Sequence, residues 1–548
     1  MNADTADSHP PSKEEEFLFR PLRPEQAPKV APCQDNCPCG TSIRDWIAPI
    51  AQRSHLGLST RAAYARAWEL IVENNPFPAV MGRICPHPCE TQCTRNDRDS
   101  AVAVSSLERY LGDWALDHGL KLPRLEPADD PLSFGVIGAG PAGLSYAYQV
   151  ARRGHAVCVY DWHPEAGGML RYGVPEYRLP RSVLDAEIHR IVELGVEVYA
   201  NVRIGTDLTL SELRERHQHL FFGLGAQRAR RLDVPGEHGP GVWTGTDFLE
   251  HYNTERPVSA GDHLAVVGGG NTAIDVARVG RRSGAQVTVL YRRTLQEMPA
   301  IEEEIKEAVD EGVEFIDLAT PAEVLRAQSG ELRGLVVQRM RPGALDEDGR
   351  RVPEPIPGTT FELPVTSVVF AVSQEADLRG LEDIAPYPGT SNGVESAGSR
   401  LSFGGDVLHL GIASAAIAEG KRAALQACNL AELADLEDHR KPLVKSERSP
   451  LSDRIENPET DPGLRLRNPG LEVRATISEA EFLKEVERCL SCGSCLGCYQ
   501  CWMYCNAGSF TPVENPSPGN YFTFDSDICE GCGKCIELCP CGFLNPVE

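Results

Sequence analysis

Apolar residues recur at helical spacing through residues 41–120, most clearly in TRAAYARAWELIVENN, which stops before Pro76. This stretch reads as a helical unit. At residue 133 the pattern changes. SFGVIGAGPAGLSYAYQVARRG is a short β-type run, a glycine turn and a long helix, and AVCVYD follows as a second strand. The same layout returns at 263–293, as HLAVVGGGNTAIDVARVGRRSG and then QVTVLYRR. Two such units set so far apart predict two nucleotide-binding modules, because the period is too long for stacked repeats. Residues 1–30 are polar, charged and proline-bearing and read as a loose arm. Residues 436–485, rich in charge and proline, read as a linker.

Length and composition narrow this picture. At about 150 residues per domain, 548 residues predict three or four domains. The chain holds 54 Lys and Arg against 79 Asp and Glu, a net charge of −25. That balance disfavours nucleic acid and anionic membrane surfaces as partners. With 41% hydrophobic and 24% charged residues, the mix is that of a globular protein rather than a disordered or fibrous one. No run of eighteen apolar residues appears, so no membrane span is expected. The first residues lack a basic start and an apolar core, so no signal peptide is expected and a cytoplasmic location follows. The 19 cysteines change the picture most: six lie from Cys33 to Cys93 and eleven from Cys489 to Cys541. Clustered thiols in a reducing compartment point to metal or redox work rather than disulfides. Cys158 and Cys428 stand alone and read as structural.

The glycine turns carry the first chemistry. Gly138, Gly140 and Gly143 follow a strand and open a helix, a pattern that lets a pyrophosphate approach the helix N-terminus. Asp161 ends the next strand, where an acid can bind ribose hydroxyls. In the second turn, Gly268–Ala273, alanine takes the last glycine position, and the following strand ends in Arg292 and Arg293 with no acid. Arginines there favour a 2′-phosphate, hence NADP(H) over NAD(H); a solvated strand end is the plainer alternative. A third segment, Gly405-Asp406 after a short strand, fits the cap over the pyrophosphate and ribityl region of FAD. No Cys-x2-Cys or Cys-x4-Cys pair lies between residues 94 and 488, so electrons would leave a flavin by another route than a dithiol.

Cys529-x2-Cys532-x2-Cys535-x3-Cys539-Pro540 is a full bacterial ferredoxin run, and Cys495-x2-Cys498-x2-Cys501-x3-Cys505 repeats it with Asn506 in the proline position. In such pairs the fourth cysteine serves the other cluster. Cys495, Cys498, Cys501 and Cys539 then hold one 4Fe–4S centre, and Cys529, Cys532, Cys535 and Cys505 hold another. Zinc is the competing occupant of Cys-x2-Cys pairs. Cys489 and Cys492 sit just upstream, either as spare ligands or as ligands of an N-terminal cluster, and Cys541 reads as a bystander. The N-terminal spacing is looser: Cys33 and Cys37, then Cys85, Cys89 and Cys93.

NPFPAVMGRICPHPCETQC, GAGPAGLSYA, GGMLRYGVPEYRLP, VVGGGNTAIDVAR and YRRTLQEMPA resemble the glutamate synthase small (β) subunit family over about residues 30–430. The resemblance implies a multidomain chain. Its parts would be a helical Fe–S domain (31–130), an FAD-binding domain (131–255 and 395–435) and an NAD(P)-binding domain (256–394) inserted in it. Both nucleotide domains would be α/β and Rossmann-like, and an α+β bacterial-ferredoxin-like domain (486–548) would follow the linker. FAD would contact Gly138, Gly140, Ala142, Gly143, Asp161, Gly168, Leu170, Arg178, Gly405 and Asp406. The nicotinamide cofactor would contact Gly270, Asn271, Thr272, Ala273, Arg292 and Arg293. Cys33, Cys37, Cys85, Cys89 and Cys93 would supply N-terminal cluster ligands. The chain departs from the family in three places: an Arg-Cys-x2-Cys pair expected ahead of Cys33 is absent, and Leu224 and Ser373 replace a usual Thr and Gly. ERCLSC at 487–492 resembles the missing pair, moved to the C-terminal module, so that Cys489 and Cys492 would complete an N-terminal cluster.

These features predict an electron-transfer subunit that moves hydride between NAD(P)H and FAD and single electrons between FAD and 4Fe–4S clusters. Its expected partners are ferredoxin-linked catalytic subunits, such as a 2-oxoacid:ferredoxin oxidoreductase, in a hetero-oligomer. A second reading is a glutamate synthase small subunit feeding a large subunit. A third, of another class, is an Fe–S scaffold without nucleotide turnover.

Overall fold

The computed structural model describes residues 22–547 apart from 257, 259, 347, 348, 380, 382–399 and 431–440. The helical periodicity of the N-terminal third becomes four main helices, Ile43–Ala51, Thr60–Val72, Pro78–Ile84 and Val104–Asp117. Ser59 starts the second: its hydroxyl accepts the Ala62 N–H at 3.3 Å. The third and fourth touch backbone to backbone. A Cβ on Gly82 would lie 2.3 Å from the Arg109 nitrogen, and one on Gly112 would lie 2.3 Å from the Ala79 nitrogen. The short helix ends at Cys85, the extended residue before Pro86.

The first glycine turn belongs to a five-stranded parallel sheet in the order Leu401–Phe403, His219–Phe222, Ser133–Ile137, Ala156–Tyr160, Glu197–Tyr199. The second belongs to another, in the order Glu314–Ile316, Gln286–Leu290, His263–Val267, Ser367–Phe370, Val242–Thr244. The first sheet takes strands from both sides of the second in sequence. The chain crosses between them through a short antiparallel pair, Arg228–Ala229 with Gln374–Glu375. A three-stranded antiparallel sheet, Ala319–Arg326, Leu332–Leu345 and Arg351–Leu363, adjoins the second unit.

One apolar core runs from the N-terminal helices (Trp46, Trp68, Leu107) into the first sheet (Val136, Val159) and its helices (Leu144, Ile417). Helix Ala413–Ala427 packs on helix Pro141–Ala151 so closely that a Cβ on Gly420 would lie 2.1 Å from the Ala142 carbonyl oxygen.

Two expectations are corrected. Of the loose arm, residues 1–21 lie outside the described residues, but Pro24–Gln26 pairs antiparallel with Leu544–Pro546 near the C-terminus. Strand pairing satisfies backbone groups that the polar composition seemed to leave to water. Of the linker, residues 441–485 form packed structure with helices Pro462–Arg467 and Glu479–Val486. Sparse apolar residues anchor it: Phe482 is fully buried and stacks on Tyr110 at 4.2 Å between ring centroids. Its charges are paired rather than solvated. Glu472 meets Arg83 at 2.9 Å and Arg109 at 3.1 Å, while Arg474 meets Glu307 at 2.9 Å. The segment therefore straps the N-terminal helices to the second nucleotide-binding unit.

Candidate functional site

A cavity of 540 Å³ joins the two glycine turns. On the first, Gly138 has φ +102°, and a Cβ there would lie 2.3 Å from the Gly223 oxygen. By contrast, the nearest atom to a Cβ on Gly140 is 3.9 Å away, and around Gly270 on the second turn nothing lies within 4 Å. The turns are thus tight below and open above, toward the N-termini of helices Pro141–Ala151 and Asn271–Arg282. An open backbone at a helix N-terminus is suited to a pyrophosphate.

Gly138, Gly140, Ala142, Asp161, Gly168, Leu170, Arg178, Gly405 and Asp406 line this cavity, and so do Asn271 and Thr272. Gly143 and Ala273 stand behind it. A Cβ on Gly143 would lie 1.9 Å from the Gly138 oxygen, and Ala273 is fully buried. Asp161 does more than face a ribose. Its carboxylate accepts the Ala139 N–H at 2.6 Å and the His163 N–H at 2.8 Å, so it pins the turn. Beside it, the half-exposed Trp162 carries the Arg203 guanidinium 5.2 Å from its ring centroid. Asp406 accepts the Gly411 N–H at 3.0 Å, and burial, with Glu419 nearby, holds its carboxyl above the usual range.

Two expected cofactor contacts are held by other protein groups. Arg178 faces the cavity but is buried in ion pairs, with Asp275 at 2.8 Å and Glu304 at 3.0 Å. It joins the first unit to helices of the second instead of standing free. Burial drives the Asp275 carboxyl up to about 6. Arg293 turns away into the antiparallel sheet, where its Nε donates to the Arg351 carbonyl at 2.8 Å and its guanidinium meets Asp346 at 3.3 Å. Arg292 is the exposed cation left at that strand end. Leu224 lines the cavity, and Ser373 has φ +155°, a backbone conformation that favours glycine. Residues not foreseen at the cavity mouth are Arg228, Arg231, Asp377 and Arg379. QRARR at 227–231 was their one visible trace.

The thiols form four groups. In the first, Cys37, Cys85 and Cys89 all feel the carboxylate of Glu108. Glu108 also accepts from Asn75 Nδ2 at 2.8 Å. Burial pushes the Cys85 thiol up to about 12, while a hydrogen bond from Cys39 lowers Cys37 to about 7. Cys85 Sγ lies 3.7 Å from Ser414 Oγ, on the helix whose Ala413 and Ala416 line the cavity, and Ile84 and Pro86 line it as well. The first group thus abuts the cavity wall.

The second group joins distant parts of the sequence. The Cys33 thiol is raised by burial and then by Cys489, Cys492 and Cys93. Burial also pushes Cys489 to about 12 and Cys492 to about 11. Cys492 Sγ lies 3.5 Å from Thr94 Oγ1, and Arg44 donates to the Cys492 carbonyl at 3.0 Å. Further on, Cys495, Cys498, Cys501 and Cys539 line one small cavity of 40 Å³, and Cys505, Cys529, Cys532 and Cys535 line another of 20 Å³. Cys532 is exposed. Among the described residues, no three His, Cys, Asp or Glu side chains close on a single metal ion. In the last two groups four thiols line a shared void. Buried thiols that resist ionisation gain most from a cationic cluster that stabilises the thiolates.

Comparison with known proteins agrees with this geometry. The pyridine nucleotide-disulphide oxidoreductase family matches residues 133–386, and dihydropyrimidine dehydrogenase domain II, 4Fe-4S cluster, matches residues 14–120. The chain is 37% identical over 360 residues to the NADPH-Fe(3+) oxidoreductase subunit beta of Geobacter sulfurreducens, covering 65% of this chain and 52% of that one. It is 37% identical over 379 residues to the NADP(+)-dependent formate dehydrogenase subunit beta of Moorella thermoacetica, covering 64% and 52%. The chain therefore spans about half the length of these two relatives. Against the glutamate synthase (NADPH) small chain of Escherichia coli, identity is 31% over 439 residues, with 74% of this chain and 92% of that one covered. With nearly the whole of that small chain matched, and both glycine turns and the N-terminal thiols in place, the chain belongs to the glutamate synthase small-chain family.

Proposed function

We propose that the chain is the NAD(P)H-oxidising, electron-distributing subunit of a larger oxidoreductase. Residues 131–255 and 395–435 would hold FAD, residues 256–394 the nicotinamide cofactor, and residues 486–548 a bacterial-ferredoxin-like pair of clusters. The single observation that carries this reading is continuity. One cavity spans both glycine turns, and its wall meets the Cys37, Cys85 and Cys89 group through Ser414; the remaining thiol groups would extend the path to the exposed Cys532.

The residues fit the groups they would hold. The open turns at Gly140 and Gly270 leave room for two pyrophosphates, and Asp161 keeps the first turn in shape. A bound flavin supplies the conversion between two-electron and one-electron transfer. The Arg178–Asp275 pair holds the two nucleotide-binding units in register at the cavity, so that hydride donor and acceptor meet in one orientation. Glu108 stands where a fourth ligand to Cys37, Cys85 and Cys89 is needed. Cys489 and Cys492 complete the set begun by Cys33 and Cys93. No general acid or nucleophile is required of the protein. The partner at the exposed end would be a ferredoxin-linked catalytic subunit. The names of the small-chain relatives favour a second reading, delivery to a glutamate synthase large subunit.

An anaerobic titration with NADPH and then NADH, with iron counted in parallel, tests the proposal. Bleaching of flavin and Fe–S absorbance together, with about sixteen irons at four per cluster, is the expected result. Reduction by dithionite but by neither nucleotide would reject it in favour of a scaffold. Co-purification with a glutamine-hydrolysing subunit would favour the second reading.

A further inference from the structure

Two segments at opposite ends of the chain share the sequence Cys-Pro-Cys-Gly: Cys37–Gly40 and Cys539–Gly542. Both end on a glycine in the left-handed region, Gly40 at φ +65° and Gly542 at φ +68°. In each, the first cysteine belongs to a thiol group described above and the second is left over. Cys541 is 2% exposed, and its Sγ lies 3.7 Å from Cys539 Sγ, within hydrogen-bond reach for sulfur. It lines the same small cavity as Cys539 and its three companions. The surroundings fix it there. Its carbonyl accepts the Gly493 N–H at 2.7 Å, and a Cβ on Gly542 would lie 2.6 Å from the Leu443 nitrogen. Cys39, 4% exposed, holds the matching position two residues after Cys37, and its thiol donates to the Ser414 carbonyl at 3.2 Å.

We propose that Cys541 is not an iron ligand but a buried S–H donor to the ligand thiolate of Cys539, and that it raises the reduction potential of that cluster. This rests on the reading of Cys539 as a cluster ligand. Reduction adds negative charge to a cluster and its thiolates, so a donated hydrogen bond stabilises the reduced state more than the oxidised one. Hydrogen bonds to the sulfurs are among the levers that set such potentials. A thiol is a weak donor, but in a buried site the bond is little screened. The Cys39 thiol is given to the Ser414 carbonyl, which makes Cys39 the control position.

The test is an EPR-monitored redox titration, with iron counting, of the anaerobically prepared full-length holoprotein and its Cys541→Ala, Cys541→Ser and Cys39→Ala variants. Cys541→Ala should keep all its iron, while one signal becomes about tenfold less reduced at fixed potential, equivalent to about 59 mV for one electron. Cys541→Ser, which retains a donor, should move the same signal less. Cys39→Ala, which removes a donor to the Ser414 carbonyl, should leave the signal of the Cys539 cluster in place. Unmoved signals in Cys541→Ala overturn the proposal, as does loss of about four irons from it, which would make Cys541 a ligand. If Cys541→Ala does not fold, Cys541→Ser decides: its changed donor must displace that one signal. A wild-type chain without clusters overturns the parent reading and this one together. A wild-type chain with clusters and unshifted Cys541 variants overturns this one alone.

Discussion

The thiols at the two ends of the chain are assembled in opposite ways. Near the C-terminus, eight cysteines from Cys495 to Cys539 lie in two tight runs, and the grouping follows the runs with one exchanged member each. Near the N-terminus, Cys33 and Cys37 are separated from Cys85, Cys89 and Cys93 by three helices, and groups from further away lie beside both sets. Glu108 comes from the helix Val104–Asp117, and Cys489 and Cys492 come from beyond the second nucleotide-binding unit. A short loop closes on its own metal site at small entropic cost, whereas widely separated ligands depend on the packing that brings them together. The N-terminal groups should therefore be sensitive to changes in the helical scaffold that leave the C-terminal groups untouched.

The largest expected effect tests the borrowed ligands. The double variant Cys489→Ser, Cys492→Ser should lose about four irons and one EPR species, while the signals of the Cys495–Cys539 run persist. Loss of a C-terminal signal instead would return those two cysteines to the local run. Next comes the helix crossing. Gly112→Val places a side chain against the Ala79 backbone and should destabilise the helical unit by about 3 kcal/mol. Thermal unfolding and iron retention at the N-terminal groups measure it, with the C-terminal groups as internal control.

A smaller effect concerns pH. Glu187 is fully buried, and its carboxyl oxygens accept the Ala79 and Val80 N–H groups at 3.1 and 3.2 Å, at the start of the helix that ends at Cys85. Burial raises it from 4.5 to about 8. A carboxyl raised on folding binds more protons folded than unfolded. Its contribution is complete below pH 4.5 and is lost as pH rises through about 8, with a slope of at most about 1.4 kcal/mol per pH unit. Glu187→Gln should remove that slope in denaturant unfolding between pH 5 and 8. A slope that survives the substitution would assign it to other groups.

The smallest effect separates two adjacent arginines. Arg292→Ala should raise the KM for NADPH about tenfold with little change for NADH, about 1.4 kcal/mol of binding. Arg293→Ala should spare both and instead lower stability by about 1 kcal/mol, because it removes a hydrogen bond to the Arg351 carbonyl and the Asp346 contact. Equal effects on NADPH would put both guanidinia at the cofactor.

Local pattern carried much of the architecture. The glycine turns, their strands and the helices after them are legible because each is written within about thirty residues, with hydrophobic periodicity and glycine positions agreeing. The C-terminal cysteine runs are legible for the same reason. The linker reading failed because charge and proline look solvated when the partners lie elsewhere. Glu472 finds Arg83 and Arg109, and Phe482 finds Tyr110, across more than three hundred residues of sequence. The loose-arm reading failed likewise at Pro24–Gln26, whose strand partner is at the other end of the chain.

From the sequence alone came the element types, the two nucleotide-binding modules, the count of thiols and the family resemblance, all properties that short-range periodicity and spacing encode. Only the tertiary structure decided that Arg293 bonds to the Arg351 carbonyl and Asp346, that Arg178 bridges two units, that Glu108 acts on three thiols, and that Cys541 sits against Cys539. These depend on which long-range contacts the buried core enforces, since side-chain direction and burial are set by packing across the fold.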